Sequence, residues 1–231
     1  MDFLAEGLLK AFFLLFSLDP ETFAAVQVTV IVSSLSVGAT LVAGIPLGFI
    51  LGYADFPGRR WLRLIVDTLL SFPTVVIGLL VYAFLTHNGP LGQFNLLFTI
   101  SGMALGQILL GLPVVIALTA TAIETQDSRL RLTLQTLGAN KRQVAMTSLW
   151  EARYALMLAG VTAYGRIVSE VGISMMVGGN IKWHTRTITT AIALETGKGQ
   201  FAMGIALGIV LLAIAFCVNL SVAHFKKRAS L

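Results

Sequence analysis

The feature that most constrains the fold is a series of long apolar segments that are almost free of charge. Thr22 to Ala54 contains no charged residue, and Thr68 to Thr86 contains none either. A helix of about 20 apolar residues crosses the ~30 Å hydrocarbon core of a bilayer. The chain is 56% hydrophobic and only 12% charged, with a mean hydropathy of +0.86, which is too apolar for a soluble domain. The sequence therefore predicts an all-α integral membrane protein.

Turns and charged residues divide this apolar sequence into five predicted transmembrane helices within one domain, residues 1–231. A further segment, residues 3–17, precedes them. Its 15 residues would reach only about 22 Å as a helix, so we expect it to lie at the membrane interface rather than to cross. The five spans are predicted at about 23–53, 64–86, 95–124, 152–177 and 200–224.

Small residues in the first span predict close helix packing. Gly44, Gly48 and Gly52 form a doubled Gly-x-x-x-Gly, which lets the backbone of a second helix approach. Pro46 lies inside the same stretch and is expected to bend the helix. We interpret the glycines as a packing surface rather than as part of a substrate site.

The basic residues predict the orientation of the chain, because lysine and arginine collect on the cytoplasmic side of a membrane. Five spans place the two termini on opposite sides. The side of the C-terminus holds eleven basic residues and the other side four, with Arg166 inside the membrane. We therefore expect the N-terminus outside and the C-terminus inside. The eleven are Arg59, Arg60, Arg63, Arg129, Arg131, Lys141, Arg142, Arg153, Lys226, Lys227 and Arg228, and the four are Lys10, Lys182, Arg186 and Lys198.

The longest amphipathic interruption, residues 126–150, is predicted to form two short cytoplasmic helices joined by a tight turn. Gly138 stands where a left-handed residue ends the first helix. Asn140, with Gln143 three residues later, forms a variant capping box that starts the second helix. Such a segment suits contact with a partner outside the bilayer, although an ordinary amphipathic loop has the same pattern.

Arg166 and Glu170 stand out in the fourth span because a charge inside a bilayer costs at least about 2.5 kcal/mol. Their i, i+4 spacing places them on one helix face. One interpretation is a mutual ion pair that fixes the helix within a bundle. The other is that they line a polar pathway.

Three basic or titratable residues follow on the predicted outer side, where an anion would arrive: Lys182, His184 and Arg186. They could guide an anion or contact a partner, and the alternative is a solvated loop.

No enzymatic or metal site is predicted from the sequence. The histidines at 87, 184 and 224 are scattered, no phosphate-binding Gly-x-x-x-x-Gly-Lys-Ser/Thr occurs, and Cys217 is the only cysteine. We expect no cofactor or metal on this chain, no ATP hydrolysis by it alone and no nucleic-acid partner.

Three motifs carry a resemblance to a known family. The predicted cytoplasmic segment resembles the loop of permease subunits of ABC importers in the residues Leu137-Gly138-Ala139-Asn140-Lys141-Arg142-Gln143-Val144. It departs from the family pattern at two places: the Glu-Ala-Ala of the family is Leu132-Thr133-Leu134 here, and the final Leu-Pro is Trp150-Glu151. Two later stretches resemble the tungstate branch of the molybdate/tungstate permeases. They are residues 165–180, which include Gly165-Arg166-Ile167-Val168-Ser169-Glu170-Val171-Gly172, and residues 185–196.

The resemblance implies the fold of type I ABC importer permeases and a place in a prokaryotic plasma (inner) membrane. It implies a homodimer that forms one pathway, two ATP-binding cassette subunits that carry ATP and Mg²⁺, and an extracytoplasmic oxyanion-binding protein. The coupling helix that docks on the ATPase would then be formed by Gly138, Ala139, Asn140, Lys141, Arg142, Gln143 and Val144.

The cargo implied by the resemblance is an oxyanion, tungstate, with molybdate, sulfate or phosphate as alternatives within the same class. Two other classes remain open. A membrane enzyme subunit should show clustered histidines, cysteines or carboxylates at one membrane depth, and a channel should conduct without nucleotide.

Overall fold

A computed structural model describes residues 19–229, together with residues 5, 9, 12 and 13. These residues are helices and connecting turns, and the described part of the chain contains no strand. The all-α membrane fold predicted from the sequence is thus confirmed. The helices are α1 Pro20–Tyr53, α2 Arg59–Leu70, α3 Thr74–Leu85, α4 Ile100–Glu124, α5 Ser128–Thr136, α6 Lys141–Glu151, α7 Arg153–Val168, α8 Gly172–Gly178, α9 Ile188–Gly197 and α10 Phe201–Ala229, with a 3-10 turn at Gly92–Phe94.

Three helices, α1, α4 and α10, are each long and apolar enough to cross a membrane. They correspond to the predicted spans 23–53, 95–124 and 200–224. The interfacial helix predicted at 3–17 lies outside the described residues, except for the helical positions 5, 9, 12 and 13.

The other two predicted spans are each broken into two helices. α2 and α3 meet at an angle of 100°, and α7 and α8 meet at 60°. The first break contains Pro73, whose ring excludes a preceding helical turn, so that α2 ends at Leu70 and α3 begins at Thr74. Within the part of the chain that the structure describes, there are up to five spans if each bent pair counts as one. The spans predicted at 64–86 and 152–177 thus each contain a bent pair of helices.

The centre of the bundle is the pairing of α1 with α4. A Cβ atom at Gly48 would lie 2.6 Å from Thr119 Cβ and 2.7 Å from the carbonyl oxygen of Ile116. One at Gly52 would lie 2.6 Å from the carbonyl oxygen of Ala120. No side chain fits there, so the glycines bring the two backbones into direct contact, as predicted. α1 continues as a helix through Pro46.

A buried hydrogen-bonded chain of polar groups joins three helices across the bundle. Ser36 of α1 donates to Gln107 Oε1 of α4 at 2.9 Å, and Gln107 Nε2 donates to Ser174 of α8 at 3.4 Å. All three side chains are buried. Because an unpaired polar group is costly in this setting, these bonds fix the register between α1, α4 and α8.

Candidate functional site

The amphipathic segment, residues 126–150, has the helix-turn-helix structure that the sequence predicts. Gly138 follows α5 with φ +81°, and the side chain of Asn140 accepts a hydrogen bond from Gln143 N at 2.9 Å. Gln143 Oε1 in turn accepts from Asn140 N at 2.8 Å, which completes the capping box of α6. The turn between α5 and α6 is therefore specified by local chemistry.

The predicted coupling residues present an exposed tip on a fixed base. Gly138, Asn140, Lys141, Arg142 and Gln143 are exposed and Ala139 is half-buried, whereas Val144 is buried against the protein. Leu137, at the tip, exposes 78% of its surface. An exposed leucine beside cationic side chains outside the bilayer is typical of a surface that a partner covers.

Residues 126–150 are anchored to the long apolar helices through side-chain contacts as well as through the backbone. Gln126 Nε2 donates to the carbonyl oxygen of Ser148 at 2.7 Å, which joins the two ends of the segment. The guanidinium of Arg131 lies 4.5 Å from the ring centroid of Tyr53, the last residue of α1. This cation–π contact joins α5 to α1, although α1 is not adjacent to the segment in sequence.

An ion-pair network joins the C-terminal ends of α1 and α4 to the start of α2 beside this segment. Arg59 donates to the carbonyl oxygen of Leu51 at 2.8 Å and to Glu124 at 2.8 Å, and it also pairs with Asp55. Arg63 lies 3.5 Å from the other oxygen of Glu124. Arg59 therefore satisfies a carbonyl at the C-terminus of α1 and joins that helix to α4.

The predicted ion pair between Arg166 and Glu170 is not formed, so this interpretation is corrected. α7 ends at Val168, and residue 170 therefore no longer follows the helical i, i+4 geometry. Arg166 Nη2 donates instead to the carbonyl oxygen of Leu70 at 3.3 Å. Glu170 is buried, and its Oε1 accepts from the backbone N–H of Ile173 at 3.1 Å.

Each of these two charges stabilises the end of a broken helix. Arg166 places a cation at the C-terminal carbonyl of α2, and Glu170 places an anion at the N-terminus of α8, as the helix dipole favours. The two breaks are close in space, since a Cβ at Gly172 would lie 3.4 Å from Val75 Cγ2, just after Pro73.

Part of one face of α7, within the span predicted at 152–177, is polar and exposed. Thr162, Gly165 and Ser169 are exposed on that face and Arg166 is half-buried. On α10, in contrast, large apolar side chains such as Leu212 and Phe216 are exposed. Polar groups are unfavourable against lipid, so this face of α7 suits a water-filled pathway or a protein interface.

The outer basic residues are less available than the sequence suggests. Lys182 Nζ lies 2.6 Å from Glu21 Oε2, and Arg186 pairs with Glu21 Oε1. His184 is exposed and stands apart from this ion-pair cluster. Glu21 was missed by sequence reasoning, because an acidic residue in the first turn of a helix is ordinary and its partners are more than 160 residues away.

A family profile described as "Binding-protein-dependent transport system inner membrane component" matches residues 44–231, which is most of the chain. It includes the α5–α6 segment and both charged residues near the α7–α8 break.

Two curated relatives match almost from end to end. The tungstate uptake system permease protein TupB of Campylobacter jejuni is 49% identical over 228 residues, which cover 99% of this chain and 95% of the relative. The protein of the same name from Peptoclostridium acidaminophilum is 40% identical, with 95% and 96% covered.

A solved structure shares the fold. The crystal structure of a bacterial ABC transporter involved in the import of the acidic polysaccharide alginate aligns with a TM-score of 0.76 at 21% identity, and it covers 95% of this chain and 83% of that chain. At this identity the likeness concerns the fold, which is the type I permease fold expected from the sequence.

Proposed function

Since the chain belongs to the family of binding-protein-dependent transport system inner membrane components, we propose that it is the permease of an importer whose cargo is tungstate. The observation that supports this proposal is the sequence identity of 49% and 40% between this chain and two permeases named for tungstate uptake, along nearly their whole length. Oxyanions of the same tetrahedral shape and charge, such as molybdate and sulfate, are the nearest competitors.

The pathway is proposed to run along the exposed polar face of α7, defined by Thr162, Gly165, Arg166 and Ser169. This face carries a guanidinium that is only half-buried, next to two hydroxyl groups. A dianion would meet favourable charge there without being enclosed, and conduction needs binding that is weak enough for release. Glu170 is proposed to act differently, as the residue that positions α8 from behind this face.

The face of α7 is incomplete in one chain, which supports a homodimer. Because it is open on one side, a second copy related by a two-fold axis would place an equivalent face opposite and enclose a channel between them. We propose that the dimer lies in the inner membrane with the N-terminus outside and the C-terminus in the cytoplasm, as the distribution of basic residues favours.

Two ATPase subunits are proposed to dock on the exposed tip of the cytoplasmic segment, Leu137 to Gln143. The capped turn gives that tip a fixed shape, and the buried Val144 together with the contact between Arg131 and Tyr53 connects it to the bundle. Closure of the ATPases would then move α1, α4 and α7 as rigid bodies. ATP and Mg²⁺ belong to those subunits.

The substrate is tested in cells that lack their own permease gene and receive this one together with its ATPase and binding protein. They are grown with equal concentrations of tungstate, molybdate and sulfate, and the metals and labelled sulfur that they accumulate are measured by mass spectrometry. We expect tungsten to accumulate preferentially. Equal accumulation without the ATPase would indicate a channel, and preference for molybdate or sulfate would reassign the cargo.

The orientation has its own test in a background with Cys217 replaced by alanine. A cysteine at residue 198 should react with an impermeant reagent in intact cells, whereas one at residue 140 should react only after the membrane is opened. Reaction of both in intact cells would contradict the five-span arrangement.

A further inference from the structure

The outer surface of the bundle contains a cleft of about 470 Å³ that the transport pathway does not include. It lies between the start of α1, the loop of residues 179–187, α9 and the start of α10. Its charged residues are balanced, with three cations and three carboxylates: Lys182, Arg186, Lys198, Asp19, Glu21 and Glu195.

One carboxylate in this cleft is held in the manner of a bound oxyanion. The two oxygens of Glu21 contact two different cations, Lys182 Nζ at 2.6 Å and the guanidinium of Arg186. An arginine and a lysine that bind the two oxygens of a planar carboxylate can bind two oxygens of a tetrahedral oxyanion in the same way. Glu21 therefore occupies the positions that an oxyanion would take.

Arg186 is more firmly placed than the carboxylate, whereas the side chain of Lys182 is 47% exposed. The backbone N–H groups of His184, Thr185 and Arg186 all donate to the carbonyl oxygen of Ile181, at 3.1, 3.0 and 3.0 Å. Arg186 Nε also donates to Asn180 Oδ1 at 3.2 Å, and its side chain is only 15% exposed. The side chain of Glu21 is 42% exposed. Displacing Glu21 thus requires only rotation of a surface side chain, and Arg186 keeps its position.

We propose that this cleft is a second oxyanion site and that Glu21 occupies it until a dianion displaces the carboxylate. This arrangement favours divalent over monovalent anions, because an anion must carry more charge than the Glu21 carboxylate to displace it from the two cations at such short range. The proposal rests on the proposed function for the identity of the anion, tungstate, but it concerns binding and does not require transport.

The test is tungstate binding to the purified full-length protein in detergent, measured by isothermal titration calorimetry. Glu21→Gln keeps the size of the side chain and removes the competing charge. We expect it to bind sodium tungstate about five- to thirtyfold more tightly than the unmodified protein, the factor that corresponds to two exposed ion pairs. Glu21→Gln combined with Arg186→Gln should lose that gain. Glu195→Gln is the matched control in the same cleft, because among the described residues Glu195 pairs only with Lys198, and it should leave the affinity within about twofold.

A second measurement uses the native Glu21 and so does not depend on the folding of its variant. Lys182 Nζ lies 5.2 Å from the ring centroid of Trp183, so release of Lys182 from Glu21 should change the fluorescence of that ring. With Trp61 and Trp150 replaced by phenylalanine, tungstate should change the emission of Trp183, and Arg186→Gln should abolish the change.

Three results would overturn the proposal. The first is equal tungstate affinity in the unmodified protein and in Glu21→Gln. The second is a gain in Glu21→Gln that persists without Arg186. The third is a gain in affinity for the purified binding protein with none for tungstate, which would assign the cations to an acidic side chain of that partner. Any of these could occur while tungstate uptake by the complete importer remains normal, so failure of this site is distinguishable from failure of the proposed function.

Discussion

Replacement of Gly138 by alanine should weaken ATPase docking without disturbing the bundle. Gly138 has φ +81° and a Cβ there would meet no atom within 4 Å, so the substitution adds backbone strain and no clash. Placing an alanine in the left-handed region costs about 1–2 kcal/mol. If the ATPase binds only permease molecules in which the turn is already formed, this strain lowers the population of those molecules. The affinity for the ATPase then falls by roughly 5- to 30-fold.

Gly199 offers a matched control for this prediction. It has φ +77°, its Cβ position is equally open, and it lies in the turn between α9 and α10. Gly199→Ala should carry the same strain and leave ATPase affinity unchanged. Gly138→Asn should fall between alanine and glycine, because asparagine tolerates the left-handed region better than alanine.

The assay is binding of the purified ATPase to the detergent-solubilised permease variants, with thermal stability measured in parallel. The expected order of affinity is glycine, then asparagine, then alanine at residue 138. Equal loss in Gly138→Ala and Gly199→Ala would show that general strain, and not the coupling turn, sets the affinity. Full affinity in Gly138→Ala would refute the docking of the ATPase on this turn.

Three further substitutions test the packing, the coupling contact and the charges at the breaks. Gly48→Ala should destabilise the protein by about 1–3 kcal/mol in a thermal melt, because its Cβ would overlap Thr119 and the backbone of Ile116. Gly38→Ala is the control, because Gly38 lies in the same helix with open space around it, and this variant should be neutral or stabilising in the same measurement. Tyr53→Leu should raise the ATP hydrolysed per tungstate transported, whereas Tyr53→Phe keeps the aromatic face toward Arg131 and should leave the ratio normal; a normal ratio in Tyr53→Leu would remove this contact from the coupling route. Arg166→Gln should impair uptake whether or not Glu170 is also changed to glutamine, and a double variant with restored uptake would reinstate a mutual pair.

Local chemistry made the cytoplasmic segment predictable from the sequence. A glycine at the end of a helix and an Asn-x-x-Gln start signal act within three residues, so Gly138, Asn140 and Gln143 form the expected turn. The glycines at 44, 48 and 52 were interpreted correctly for a similar reason, because a missing side chain leaves few uses other than close packing.

The breaks in two spans were not predicted, because hydropathy reports how apolar a segment is and not whether its backbone hydrogen bonds continue. Pro73 was a partial signal for the first break. At the second break, Glu170 accepts a hydrogen bond at the start of α8, after a change of helix direction that no single residue type indicates. Pairing of Glu21 with Lys182 and Arg186 depends on the packed bundle, since residues so distant in sequence meet only after folding.

A permease of an ATP-driven tungstate importer must couple tungstate movement to ATP hydrolysis. The most direct test is tungstate uptake by liposomes that contain the permease and its ATPase, with ATP and Mg²⁺ trapped inside and the binding protein added outside. We expect tungsten to accumulate against its gradient, Arg166→Gln to lower the rate at unchanged protein content, and a non-hydrolysable ATP analogue to abolish uptake. Tungstate entry that is equally fast without ATP, or no accumulation by the complete system, would contradict the proposed function.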